Sequence, residues 1–235
     1  MKPHSRILAV ITIVAGAFAS TASTRAETIE PFNGRSLANW LTKEPISKNQ
    51  WVVGIPEMTE AEPTTLAVGA GHGAMINPVR AHRESVDIYT AQTFGDCKIE
   101  LEFMVAKGAN SGVYVHGEYE IQVLDSYGKE KLGSGDVGAI YGATPPPVNA
   151  SKAPGTWQTY EIHFRAPQFN AAGEKTANAV FEKVALNGVT LHENVVMAGP
   201  TPSGVTGTER PKGPIMFQGD HGPVAYRNIR ITPLD

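Results

Sequence analysis

The chain has 235 residues, 41% of them hydrophobic and 18% charged, with 20 Lys and Arg set against 23 Asp and Glu. That length suits one domain, such as a large sandwich or barrel, and a slightly acidic chain without blocks of like charge argues against a nucleic-acid partner, which would need clustered Lys and Arg against phosphate. Twenty-four Gly and 17 Pro favour a turn-rich β protein over a helix bundle.

Residues 1–26 carry Lys2 and Arg6, then the apolar run Ile7–Ala17, then a small-residue tail ending Thr24-Arg25-Ala26, with no acid anywhere. This is the build of a secretory signal peptide cleaved near Ala26, and it predicts a protein of the periplasm or the cell exterior. The apolar run is too short for a membrane span of about 20 residues, and no cysteine lies near the cleavage point to take a lipid. Residues 27–235 contain no repeat and no linker-like stretch, so they read as a single domain.

Apolar residues in that domain recur mostly at every second position. In Cys97–Val105, Ile99, Leu101, Phe103 and Val105 share one face while Lys98, Glu100 and Glu102 take the other, which predicts a half-buried strand. The lone cysteine, Cys97, has no partner for a disulfide and no zinc-ligand spacing, so it reads as a small buried hydrophobe. Further predicted strands are Trp51–Val53, Val113–His116, Tyr119–Leu124, Gln158–Arg165, Ala179–Leu186, Val189–Val195, Ile215–Gln218 and Tyr226–Ile231, punctuated by Gly, Pro and Asn. Trp40 and Trp51 read as core residues, and Asn187-Gly188 as a hairpin turn whose two central residues tolerate positive φ. Two long connections, Lys129–Gly155 and Ala198–Pro214, have the length of functional rims. Segment Glu57–His82 carries no clear pattern.

The segment Asn110–Asp125, NSGVYVHGEYEIQVLD, is the most informative. Read as two strands joined at Gly117, its alternation places Tyr114 and His116 on one face, with Glu120 and Gln122 on the matching face of the second strand. Such a face suits the lining of a concave site. Near the C-terminus, Gln218, Asp220, His221 and Arg227 form a second polar cluster around the turn Gly219–Gly222, and Trp157 is a candidate platform for stacking a sugar. His72, His82, His163 and His192 have no partner at a recognisable spacing and read as structural or exposed. There is no GxSxG elbow, HExxH helix, P-loop or GxGxxG turn, so serine-hydrolase, zincin and nucleotide-dependent chemistry lack their motifs. Glu120 and Asp125 are a candidate pair of glycosidase carboxylates, but their odd separation sets them on opposite faces of a regular strand unless a bulge intervenes or the strand has ended.

Five segments in order, PFNGRSLANW, ANSGVYVHGEYEIQVLDS, GAIYGATPPPVNASKAPGTWQTYEIHF, LNGVTLHENV and GPIMFQGDHGPVAYRNIRI, resemble the 3-keto-disaccharide hydrolase domain family. The resemblance covers roughly residues 30–234. It implies an all-β, concanavalin A-like jelly-roll β-sandwich, in agreement with the alternation. It also implies cleavage of glycosides whose sugar has first been oxidised at C3, so that a separate sugar 3-dehydrogenase supplies the carbohydrate substrate. A C3 ketone acidifies the hydrogen at C2 and leaves the C1 oxygen placed for elimination, so the site needs one general base near C2, donors to the enolate, and an acid or metal for the departing oxygen, but not two matched carboxylates. On this basis Glu120 and His221 are the candidate catalytic residues, and Tyr114, His116, Gln122, Trp157, Gln218 and Arg227 the candidate substrate contacts. No cofactor is certain from the sequence; His116, Glu120 and His221 could together hold a divalent cation. The family often has Arg where this chain has His116. The same sandwich serves lectins, so a non-catalytic carbohydrate-binding module is the second reading. An ordinary endoglucanase ranks third, because the strand lacks acids at alternate positions.

Overall fold

The computed structural model describes residues 27–43 and 45–234, and the expected export segment, residues 1–26, lies outside the described residues. Fourteen strands follow in chain order: β1 Trp40–Thr42, β2 Val52–Glu57, β3 Ala67–Asn77, β4 Ile88–Thr90, β5 Cys97–Val105, β6 Asn110–Val115, β7 Tyr119–Leu124, β8 Gln158–Arg165, β9 Gln168–Phe169, β10 Lys175–Ala177, β11 Val180–Leu186, β12 Val189–Val196, β13 Met216–Phe217 and β14 Val224–Pro233. One 3-10 turn, Ile46–Lys48, interrupts them. Among the described residues no helix is long and apolar enough to cross a membrane.

The strands form two large antiparallel sheets, one of five strands in the order β1-β4-β13-β6-β7 and one of seven in the order β12-β11-β8-β5-β14-β3-β2, while β9 and β10 make a small hairpin. The alternating faces explain why the sheets stack. From the five-stranded sheet, Ile88, Val113, Val115, Ile121, Val123 and Phe217 point inward; from the seven-stranded sheet, Ile99, Leu101, Phe103, Tyr160, Ile162, Phe164 and Tyr226 meet them in one core. Phe217 stacks on Tyr226 across the sandwich at 3.9 Å between ring centroids, and Trp40 and Trp51 flank that pair. Cys97 is buried in β5, and burial pushes its thiol pKa up to about 12, so it is an inert part of the packing.

Strands β5 and β8 have the bounds predicted from the alternation, and Asn187-Gly188 turns with φ of 52° and 83°. Strand β3 escapes prediction because Gly69, Gly71 and Gly73 break the apolar pattern along its exposed half. Strands β1 and β4 are three residues long, too short to show a period.

Candidate active site

Because Val113, Ile121, Phe217 and Ile88 point into the core, their neighbours along each strand point to the opposite face of the five-stranded sheet. One cross-strand row on that outer face is Tyr89, Met216, Tyr114 and Glu120. The next row runs through Asp87, Gln218, Gly112 and Gln122: Gly112 pairs with Gln122, the Gln218 amide donates to the Gly112 carbonyl at 3.0 Å, and the Gly219 amide donates to Asp87 Oδ1 at 3.0 Å. Tyr114, Glu120, Gln122, Gln218 and His221 therefore gather on or beside one surface.

Both long connections fold onto this surface. Thr201 accepts the Glu120 amide at its hydroxyl and Pro202 presents its carbonyl 3.1 Å from the Tyr114 hydroxyl. The other connection pairs along the free edge of β7, where the Gln122 amide donates to Ala139 and the Tyr141 amide to Glu120. Glu118, in the hairpin turn, is buried and accepts from the Thr206 amide, the Thr206 hydroxyl and the Gly207 amide at 2.7–2.9 Å, which ties the Ala198–Pro214 connection to the hairpin. Gln122 is a framework residue: its side-chain amide donates to Asn110 Oδ1 and the Gly135 carbonyl.

Glu120 is 2% exposed, and its Oε2 receives the Tyr114 hydroxyl at 2.9 Å. Burial raises its pKa to about 7; Tyr114 and the nearby His221 oppose that rise, while Asp87 and Asp220 add to it. Burial likewise raises the Asp87 carboxyl, against the Gly219 amide and Lys43. Lys43 Nζ lies 3.5 Å from Asp87 Oδ2 and donates to the Ser203 carbonyl at 2.8 Å. The turn Gly219–Gly222 is fixed from behind by buried Asn77, whose side-chain amide donates to the carbonyls of Gly219 and Gly222. Asp220 bonds His221 Nδ1, and this contact raises the imidazole pKa above its ordinary value. His221 Nε2 in turn lies 3.1 Å from Nε2 of His82. A cleft of about 260 Å³, lined by Lys43, Arg83, Asp87 and Asp220 among others, opens beside this group. In chemical terms the arrangement combines a carboxylate poised to exchange a proton near neutral pH with the His221 imidazole, whose charged form Asp220 favours.

Three predicted residues stand elsewhere. His116 has φ of 59° and lies beyond the end of β6, so the strand alternation no longer governs its direction; its ring packs in the interior 5.8 Å from that of Phe164 and 6.2 Å from that of Tyr119. Burial lowers its pKa. A cation held jointly by His116, Glu120 and His221 has no basis in this geometry. Arg227 follows inward-pointing Tyr226 on β14 and so points out from the far side of the sandwich, where it pairs with Glu102 at 2.6–2.8 Å and lies 3.9 Å over the Trp157 ring. Trp157 is thus packed beneath a guanidinium, remote from Glu120. Asp125 accepts from the backbone amides of Gly108 and Tyr127, as a turn residue does.

That far face carries a larger cleft, about 690 Å³, lined by Glu100, Glu102, Glu161, Lys183 and Arg230 among others. Its acids are neutralised. Lys183 and His163 hold the Glu161 carboxyl below its ordinary range, and at Glu102 the bonds from Asn228 and Arg227 outweigh burial to the same effect. Glu102 and Glu161 are thus held away from neutral pH, so the smaller cleft, lined by Asp87 and Asp220 from the group around Glu120, is the better candidate.

Sequence reasoning missed Asp87, Lys43 and His82. Asp87 precedes a three-residue strand, Lys43 follows another, and His82 sits in the loop before β4, where nothing in the spacing ties it to His221 139 residues later.

The chain belongs to the 3-keto-α-glucoside-1,2-lyase-like domain family, whose sequence model matches residues 27–232. Crystal structures of three Parabacteroides distasonis ATCC 8503 proteins, each provisionally assigned as a glycosyl hydrolase, share the fold. The first is 25% identical, with a TM-score of 0.58 over 94% of this chain and all of its own. A second, 17% identical, has a TM-score of 0.60 over 88% of this chain and 94% of its own. The third, 21% identical, has a TM-score of 0.50 over 83% and 99%. No curated protein matches the sequence.

Proposed function

We propose that this chain is an exported enzyme that cleaves 3-keto-glycosides by elimination across C1 and C2, with Glu120 as the base. The observation that carries the reading is the buried Glu120 carboxyl with a pKa of about 7, held by Tyr114 and electrostatically coupled to His221. A carboxylate poised near the working pH is what removal of an activated C–H proton calls for. A lectin surface has no use for it, and the relatives' assignment as glycosyl hydrolases points the same way.

In the proposed step Glu120 takes the C2 proton, and the electron pair of that C–H bond moves onto the C3 oxygen as an enolate. Collapse of the enolate forms the C1–C2 double bond and expels the C1 oxygen, which leaves with a proton from an acid or solvent. His221, whose charged form Asp220 favours, stabilises the charge that develops on oxygen, and Gln218 lines the same face. Addition of water to the double bond afterwards would complete a net hydrolysis. The substrate would come from a sugar 3-dehydrogenase. Export rests on the composition of residues 1–26, and the family match starts at Glu27, immediately after the proposed cleavage site.

The deciding experiment supplies the purified protein with a 3-keto-glucoside and, separately, with the unoxidised parent glucoside. Release of aglycone from the ketone alone is expected. Comparable turnover of the parent would overturn the elimination reading in favour of ordinary glycoside hydrolysis.

A further inference from the structure

The pair His82–His221 departs from what two hydrogen-bonded imidazoles would show. Their Nε2 atoms lie 3.1 Å apart, and their ring centroids 4.3 Å apart with an interplanar angle of 67°. A collinear N–H···N bond of that length would set the ring centres roughly 5.4 Å apart, because each nitrogen lies on the outer edge of its own ring. At least one Nε2 axis is therefore tilted off the line between the nitrogens. Two imidazoles bound at about 2.0–2.1 Å to one ion, with an angle of roughly 100° between them, place their nitrogens about 3.1 Å and their ring centres about 4.9 Å apart, nearer the observed separation than the collinear bond does.

The surrounding groups suit a cation. Asp220 bonds Nδ1 of His221, which fixes the tautomer that leaves Nε2 free as a ligand, the usual carboxylate–histidine–metal arrangement. One ligand atom from each of His82, Asp220 and His221 lies within 4.8 Å of the other two. Two further carboxylates, Asp87 and Glu120, act electrostatically on His221, so its imidazole sits in a negative field. His82 is on an exposed loop and the other two are half-buried, which leaves an entry path and open coordination positions.

We infer that His82 and His221 bind a first-row divalent transition metal ion through Nε2, with Asp220 as the orienting carboxylate. Imidazole ligands with a carboxylate favour zinc, cobalt or their neighbours over magnesium or calcium, which prefer sets of oxygen ligands. The binding claim stands on the side-chain geometry alone. Only the role of the ion, as the electrophile that takes up charge on the sugar oxygen, rests on the elimination reading above.

The test is titration of Co(II) into the untagged, chelator-treated chain, read by the visible d–d absorption of the bound ion and by calorimetry. One ion per chain is expected, with a rise in thermal melting temperature on binding. His82→Ala should weaken binding by at least about 100-fold, and Asp220→Asn by about 10- to 100-fold, the usual effect of losing an orienting partner. Because His82 is exposed, its variant tests the site without disturbing the core. Absence of binding at millimolar Co(II), or binding unchanged in both His82→Ala and His221→Ala, would overturn the site and leave a bent imidazole–imidazole hydrogen bond. The two proposals fail separately: Co(II) binding without turnover of a 3-keto-glucoside sinks the proposed reaction alone, while full turnover in a chelator with no Co(II) binding sinks the metal alone.

Discussion

The carboxylate of Glu120 occupies the space that a side chain at position 112 would need: a β-carbon built on Gly112 would stand 2.2 Å from Glu120 Oε1. Gly112 and Glu120 lie on adjacent antiparallel strands, in neighbouring cross-strand rows of the outer face. The absence of a side chain at 112 is what lets the carboxyl lie across the sheet towards the row of Gln218 and Asp87. Gly112→Ala should therefore push Glu120 aside while sparing the inward-facing core. A misplacement of about 1 Å in a reacting group costs on the order of 100-fold in rate. The expected outcome is a fall of that size in kcat/KM for a 3-keto-glucoside with a near-native melting curve. Unchanged kcat/KM in a folded Gly112→Ala protein would remove Glu120 from the chemistry.

Glu120→Gln should lower turnover by about 10² to 10⁴, the range for a positioned base, and should also change how stability depends on pH. The folded-state pKa of about 7 lies above the ordinary 4.5, so the fold holds the charged form at a disadvantage. Below pH 4.5 the group is protonated folded or unfolded and costs nothing. As pH rises from 4.5 through 7 the unfolded chain loses its proton first, and stability falls by roughly 3 kcal/mol or slightly more in total. Glu120→Gln removes that loss. The variant should melt higher than the parent at pH 8, and the gap should close near pH 4.5. In the parent protein kcat/KM should rise with pH through about 7. A melting difference that is the same at both pH values would show that Glu120 is not raised.

How far the sequence revealed this site can be traced residue by residue. The outward direction of Tyr114, Glu120 and Gln122 was legible because β6 and β7 are regular strands, along which period-2 alternation carries side-chain direction, while the tie of Gln122 to Asn110 and Gly135 was not. His116 was misplaced by one step of the same rule, since it sits past the strand end in a left-handed conformation that no alternation describes. Arg227 went wrong for another reason: the spacing placed it near His221 along the chain, yet Tyr226 must point into the core and so turns its neighbour to the far face. His82 and Asp87 join the site only through the pairing of β4 with β13, a long-range contact without local signature.

Glu118 illustrates a buried acid whose work is structural. Its carboxylate satisfies three donors of the Ala198–Pro214 connection, which supplies Thr201 and Pro202 to the Glu120–Tyr114 pair. Glu118→Ala leaves those donors without a protein partner, a cost of about 1–3 kcal/mol for a buried group. We expect a lower melting temperature, faster amide exchange over residues 201–207 and a rise in KM larger than the fall in kcat. Loss of kcat alone, with exchange unchanged, would give Glu118 a direct part in the reaction.

The two faces of the sandwich make opposite predictions for Arg227. If the chemistry lies beside Glu120, Arg227→Ala removes only an ion pair with Glu102 and a cation stacked on Trp157. The Arg227 side chain is about one-third exposed, so solvent screens the pair. Pair and stack together are worth about 1 kcal/mol, which would lower the melting temperature by about 2–4 °C in a domain of this size. Turnover of a 3-keto-glucoside should stay within about twofold of the parent, whereas His221→Ala, beside Glu120, should reduce it at least tenfold. The pair of variants is best assayed together, each after a melting curve. The reverse result, a large loss in Arg227→Ala and none in His221→Ala, would move the reaction to the 690 Å³ cleft on the seven-stranded sheet and make its paired acids the residues to explain.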